Sequence, residues 1–235
     1  MTDPRHAPGL RHAIVTGASS GIGAAIVTRL LNDGWAVTGV SRSAPADPWP
    51  QDYAHCALDL SRAGRDDIRA AFASARPTAL IHAAGVLRVG GLGELDAEAG
   101  AAMWRLHVEA ACLLADAIVP SMASGGRIIL IGSRVAAGAA QRSQYAATKS
   151  ALIGLARSWA IELAPRGITV NVVAPGATET PMLLDPERAG VAPRLPPIGR
   201  FIKPEEVAAL TGFLLSAEAG SITGQQIVVC GGASL

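Results

Sequence analysis

The sequence predicts a single α/β domain: a doubly wound, parallel seven-stranded sheet with helices on both faces. Three observations carry this. Short, nearly continuous apolar runs such as Ala13-Ile14-Val15 and Arg127–Ile131 read as strands covered on both sides. Stretches with helical periodicity alternate with them, the pattern of repeated strand–helix units. No repeat, low-complexity block or linker divides the 235 residues, a length that one α/β domain can fill.

Taken in order, Ala13–Val15 is the first strand, and it runs into Thr16-Gly17-Ala18-Ser19-Ser20-Gly21-Ile22-Gly23. Ile22, Ile26 and Leu30 then recur at i, i+4 and i+8 on one face of a helix, which Asn32-Asp33-Gly34 ends. Ala36–Val40 is a second strand and Tyr53–Leu58 a weaker third. Pro45, Pro48 and Pro50 make the segment from Ser43 to Gln51 a loop. A helix around Arg62–Ala75 precedes the strand Thr78–His82, and one long helix from about Asp96 to Met122 precedes Arg127–Ile131. A helix from about Gln144 to Ala164 leads to Ile168–Val173. Helix Pro204–Ser216 and strand Gln226–Cys230 complete the domain, which spans 11–235 behind a polar, Pro-containing tail of residues 1–10.

Composition narrows the function. Twenty basic and 19 acidic residues leave a net charge of +1, and the arginines are interleaved with acids. Nucleic-acid binding rests on clustered Lys and Arg, so it is not expected. No apolar stretch approaches the ~20 residues of a membrane span, and the first twelve residues are unlike a secretion signal. Cys56, Cys112 and Cys230 form no CxxC motif, and an odd count suits no disulfide framework. A soluble protein of the cytoplasm, without a metal site, is expected.

Only two of the twenty basic residues are lysines, Lys149 and Lys203, and there are only two tyrosines, Tyr53 and Tyr145. Tyr145 and Lys149 stand four residues apart on a predicted helix, so they share a face.

The turn Gly17-(x)3-Gly21-x-Gly23 lies between a strand and a helix. Glycines there let the backbone turn tightly and approach a pyrophosphate, which a helix N-terminus attracts; Ser19 and Ser20 add hydroxyl donors. By itself this also describes an ordinary strand–helix turn. Thr16–Gly23, however, resembles the cofactor loop of the short-chain dehydrogenase/reductase family, and further matches follow in family order along the chain. They are Asp59-Leu60, Ala83-Ala84-Gly85, Ser133, Tyr145-Ala146-Ala147-Thr148-Lys149, Asn171–Gly176 and Gly231-Gly232. Within the family, the general likeness is to 3-oxoacyl carrier-protein reductases and related small-ketone or sugar reductases.

The resemblance implies a Rossmann-type fold and an NAD(P)-dependent oxidoreductase that interconverts a secondary alcohol and a ketone. Gly17, Ser19, Ser20, Gly21, Ile22 and Gly23 would hold the pyrophosphate, with Ala83, Ala84 and Gly85 across the turn. Asp59 and Leu60 would contact the adenine, and Asp59 could equally cap the next helix. Pro175, Gly176, Thr178 and Thr180 would hold the nicotinamide carboxamide. Ser41 and Arg42 follow the second strand, where an acid would repel a 2′-phosphate and an arginine attracts one. NADP(H) is therefore expected over NAD(H).

In the family's pattern Tyr145 is the acid–base and Ser133 orients the carbonyl oxygen. A free phenol has a pKa of about 10, so transfer near neutrality needs phenolate stabilisation worth about 4 kcal/mol. Lys149 would supply part of this charge and bind the nicotinamide ribose. Two positions depart from the pattern. His107 stands where the family usually has an asparagine that kinks the long helix, and its imidazole would either enter a proton relay or only fill space while another group or bulk water takes over. His82 replaces the first asparagine of the usual Asn-Asn-Ala-Gly, which should remove side-chain bonds that brace the sheet.

A lid over about 178–200 is expected to cover the substrate, its Met and Leu side chains suiting a partly apolar ketone or alcohol, with Arg188 and Arg194 its only charged clamp. Gly90-Gly91-Leu92-Gly93 reads as a flexible loop. The predicted helix 144–164 is apolar around much of its circumference, implying burial against a second subunit in a homotetramer or homodimer. The competing function is a non-catalytic nucleotide-binding or sensor protein on the same fold.

Overall fold

The computed structural model describes residues 11–44, 50, 52–184 and 193–235. The tail 1–10 and the lid segment 185–192, with Arg188, lie outside them. Seven parallel strands are ordered β3-β2-β1-β4-β5-β6-β7: β1 His12–Thr16, β2 Ala36–Ser41, β3 Tyr53–Ala57, β4 Ala79–His82, β5 Arg127–Ile131, β6 Thr169–Pro175 and β7 Gln226–Val229. Neighbouring residues on the strands feed opposite faces, because side chains alternate along extended chain. Ile14, Leu80, Ile128 and Val172 enter one core, with Ile68, Leu114, Ile118 and Leu152. Val15, Ile81, Ile129 and Val173 enter the other, with Ile26, Leu30, Val207 and Leu214. The uninterrupted apolar runs thus reflect two cores sharing one sheet.

Helices α1 (Gly21–Asn32) and α6 (Pro204–Leu215) cover the second core. On the first lie α2 (Arg65–Phe72), α4 (Ala110–Ile118) and α5 (Ser143–Leu163), while α3 is Ala97–Trp104. The strand order reverses between β1 and β4, and at such a switch point a crevice opens beyond the carboxyl ends of the strands.

Three expectations need correction. The long helix is interrupted by a π-turn, Arg105–Glu109, whose following residue Ala110 donates its N–H to the Arg105 carbonyl. Hydrophobic periodicity does not register a single wider turn. The all-round apolarity of α5 is mostly absorbed within the chain: Leu152 is buried, and Leu155, Trp159 and Leu163 pack against the first core. Only Ile161, 78% exposed, remains for an outside partner among those apolar residues. Gly90 is held in place, donating its N–H to the Gln141 carbonyl at 2.9 Å and bridging to Arg142. No helix of the described residues is long and apolar enough to cross a membrane.

Candidate active site

A cleft of about 970 Å³ opens at the switch point. Its wall gathers Gly17, Ser19, Ser20, Gly21 and Ile22 from the first turn, Ser41 and Arg42 after β2, and Asp59 and Leu60 after β3. Ala83, Ala84 and Gly85 follow β4, while Pro175, Gly176, Thr178 and Thr180 come from the end of β6 and its loop. His107, Ser133, Tyr145 and Lys149 line the same cleft.

Gly23 is the exception among the expected residues. A Cβ there would stand 2.1 Å from the Gly17 carbonyl oxygen, so this glycine lets α1 close on the preceding turn without lining the cleft. Gly17 itself has φ +67°, and a Cβ on it would press within 2.9 Å of the Ala84 amide nitrogen. Ser20 precedes α1 without capping it, so first-turn N–H groups and the exposed hydroxyls of Ser19 and Ser20 remain for an anion. The residues present fit a dinucleotide at this place.

Across β1 and β4, Thr16 accepts the N–H groups of both Ala83 and Ala84, each at 3.0 Å. Its own proton then turns to His82 Nδ1, 3.0 Å away, and His82 Nε2–H donates to the Leu106 carbonyl at 3.1 Å. The brace that the histidine was expected to remove is therefore rebuilt. An imidazole reaches from the sheet to the π-turn. Burial, then the Lys149 charge, pulls His82 down to about 4.

At the catalytic end, Ser133 is buried and its oxygen accepts the Val135 N–H at 3.1 Å, which leaves its proton for an acceptor in the cleft. Ser150 Oγ donates to the Ala136 carbonyl at 2.6 Å, locking the turn after Ser133 onto α5. Tyr145 and Lys149 lie one helical turn apart, with Lys149 Nζ 5.8 Å from the phenol ring centre. Lys149 is 5% exposed and donates to the Ile131 carbonyl at 2.8 Å. Burial pulls its pKa from the usual 10.5 to about 7.

His107 is wholly buried, its ring edge-on to that of Tyr145 at 5.6 Å. Nε2 accepts the Val86 N–H at 3.0 Å; Nδ1 lies 2.8 Å from Thr148 Oγ1, whose proton goes to the Tyr145 carbonyl. The ring is therefore a neutral Nδ1–H tautomer with both nitrogens engaged. Burial first, and the Lys149 charge second, hold it well below the ordinary histidine range.

At the other end, Asp59 both lines the cleft and caps its own turn, accepting from the N–H and hydroxyl of Ser61 at 3.0 and 2.6 Å. The Ser61 hydroxyl and then the charges of Arg42 and Arg62 keep this carboxyl low. Sequence reasoning missed Thr16 and Thr148, although each lies inside a motif, and it missed Arg88, Arg134 and Arg142 on the cleft wall.

A family model described as enoyl-(acyl carrier protein) reductase matches residues 17–234. A 3-oxoacyl-acyl-carrier-protein reductase of Salmonella typhimurium is 37% identical over 236 residues, covering 94% of this chain and 96% of the relative. A blue fluorescent protein from a metagenomic library, solved with NADPH, superposes with a TM-score of 0.84 at 30% identity, covering 96% of this chain and 98% of that one. A short-chain dehydrogenase from Burkholderia cenocepacia, solved with NADP, gives 0.83 at 32% identity with the same coverage.

Proposed function

The chain belongs to the short-chain dehydrogenase/reductase family and is an oxidoreductase of that class; from that premise we propose that it interconverts a small ketone and its secondary alcohol with NADP(H). The observation that carries the reading is the convergence of Ser133, Tyr145 and Lys149 on one cleft with the dinucleotide-fitting turn. The first turn and the loop after β6 would hold a reduced nicotinamide dinucleotide, which would supply the hydride for the carbonyl carbon. Tyr145 gives its phenolic proton to the carbonyl oxygen, and the Ser133 hydroxyl donates a hydrogen bond that orients that oxygen. Charged Lys149 favours the phenolate left behind. In the alcohol-oxidising direction the same groups act in reverse.

Arg42, on the cleft wall after β2, supports NADP(H) over NAD(H). NADPH oxidation against a panel of ketones and dicarbonyls is expected to exceed NADH oxidation at least tenfold in kcat/KM, and Arg42→Asp should reverse the order. Tight NADPH binding without turnover on any carbonyl would favour the sensor alternative. Equal use of the two nucleotides by wild type would remove the cofactor assignment.

Relatives that act on carrier-bound acyl groups raise the same possibility here, but two basic groups near the start of β5 are already committed. Arg127 donates to the carbonyls of Gly125, Gly126 and Ser216, and Arg166 to those of Val119 and Met122. A free small molecule is therefore the favoured substrate. A homodimer or homotetramer remains our proposal for the assembly, with Ile161 of α5 the exposed apolar contact.

For His107 the geometry supports a positioning role in place of the expected relay, since neither ring nitrogen is left to carry a proton onward. His107→Ala should lower kcat about tenfold by releasing Val86 from Thr148. His107→Asn, which can donate and accept at once, should restore most of it with an unchanged pH–rate profile. Loss in His107→Asn of an ionisation that wild type shows would return the ring to the relay.

A further inference from the structure

Behind the cleft wall at the end of β2 stands a side chain that the dinucleotide reading does not yet use. Ser41, the last residue of that strand, lines the cleft beside Arg42 and is 9% exposed. A hydroxyl has one proton to give and lone pairs with which to accept. Ser41 Oγ gives its proton to the Ser43 carbonyl at 2.9 Å. Its other partner is Nε2 of His55 on β3, 3.1 Å away. Both contacts are made at once only when the imidazole is the donor, so His55 carries a proton on Nε2 and gives it to Ser41.

The sheet sets up this contact. His55 pairs with Gly39 in the ladder, so its ring meets no side chain directly opposite and reaches Ser41, two residues further along β2. Leu58 donates its N–H to the Ser41 carbonyl at 3.2 Å and ties the two strand ends together. Arg42, the neighbouring cation, is not wholly available to an incoming anion. After the hydrogen bonds of Ser61, its charge is among the causes that hold the Asp59 carboxyl low. An anion arriving here would share Arg42 with that carboxylate, and an uncharged donor aimed at it gains in value. When an acceptor replaces the Ser43 carbonyl, the chain runs from His55 Nε2–H through the Ser41 hydroxyl to the newcomer. Each bond in such a chain polarises the next and strengthens it. With His55 donating into its oxygen, Ser41 has its proton to offer, which suits a phosphoryl oxygen better than a ribose hydroxyl that also donates.

We infer that His55 is a positioning residue for cofactor choice: through Ser41 it makes the end of β2 a donor for the 2′-phosphate of NADP(H), a group that NAD(H) lacks. The inference rests on the NADP(H) reading and adds to it a half-buried residue of the edge strand that acts through the cleft wall.

Titration of the full protein with NADPH and with NADH, followed by nicotinamide fluorescence, tests it without any turnover. Wild type is expected to bind NADPH at least about tenfold more tightly. His55→Leu should weaken NADPH about five- to tenfold and NADH less than about twofold, whereas damage to the fold would weaken both alike. His55→Val, which suits an edge strand, gives the same comparison should the leucine variant not fold. His55→Gln, whose amide N–H can take the place of the imidazole's, should recover NADPH affinity to within about threefold of wild type. On a Ser41→Ala background, His55→Leu should cost less than about a further twofold, because the residue acts through that hydroxyl. An unchanged preference in the apolar variants, an equal loss of both nucleotides, or a full effect in the absence of the Ser41 hydroxyl overturns the inference and leaves the cofactor reading standing. Equal binding of the two nucleotides by wild type strikes the cofactor reading and the inference with it.

Discussion

Tyr145→Phe will lower kcat by about a thousandfold or more while leaving the NADPH dissociation constant within about threefold of wild type. The change removes one oxygen from a ring whose carbon skeleton stays in place. General acid–base groups contribute about 10²–10⁴ in rate, and no other hydroxyl acid has been assigned to the carbonyl oxygen, since Ser133 is held to orient it. The segments proposed to hold the nucleotide are the first turn, the ends of β2, β3 and β6, and the β4 loop, so binding is expected to survive. Single-turnover measurements of NADPH oxidation, with fluorescence titration of the nucleotide, read the two effects separately. A variant that keeps more than a tenth of wild-type kcat would remove Tyr145 from the acid role.

Lys149→Met is expected to cost at least a hundredfold in kcat and yet to raise the melting temperature of the nucleotide-free protein at pH 6, by about 3–10 °C. The ammonium is buried with one carbonyl, that of Ile131, as its hydrogen-bond partner, and two neutral histidines stand nearby. Burial lowers its pKa to about 7, whereas an unfolded lysine titrates near 10.5. The sign follows. Between pH 7 and 10.5 the unfolded chain binds more protons than the folded one, so this group adds stability as pH rises through that window. Below about 7 the folded protein carries the full penalty of a buried charge. Methionine, of similar length and uncharged, escapes it, and the advantage should shrink steadily above pH 7 and vanish only as pH approaches 10.5, where the unfolded lysine also gives up its proton. Calorimetric melts of both proteins across this range would decide. A melting difference independent of pH would show that Lys149 titrates outside the window.

Together these two changes describe a site held at the expense of stability. On the proposed mechanism the lysine is buried, at a cost in stability, where a phenolate and a ribose would use its charge. Arginine is not an equivalent: its guanidinium is larger and planar, where this pocket holds a compact ammonium.

Much of this was legible along the chain. All seven strands stand within a residue or two of their predicted bounds; the five inner ones are buried nearly throughout, which leaves apolar runs that nothing local disguises. The Tyr145–Lys149 pair and the first turn were legible for a similar reason, their geometry being set by spacing within one helix or one turn. The π-turn was not, because one extra residue in a helical circuit hardly disturbs the periodicity. Gly23 belongs to the glycine motif and yet stands off the cleft wall, against the Gly17 carbonyl. Whether a glycine touches a ligand or a neighbouring carbonyl depends on the path of the whole turn.

The sequence by itself determined the sheet, the layers and the order of the cofactor and catalytic motifs, because each is written in local pattern. Tertiary structure alone decided the protonation of His82, His107 and Lys149. Burial, and partners as much as 66 residues away along the chain, set those charges. It also decided that Arg88, Arg134, Arg142 and Arg194, dispersed over a hundred residues, would line one cleft. Electrostatics acts through space, and the linear order of charges is silent on which of them the fold brings together.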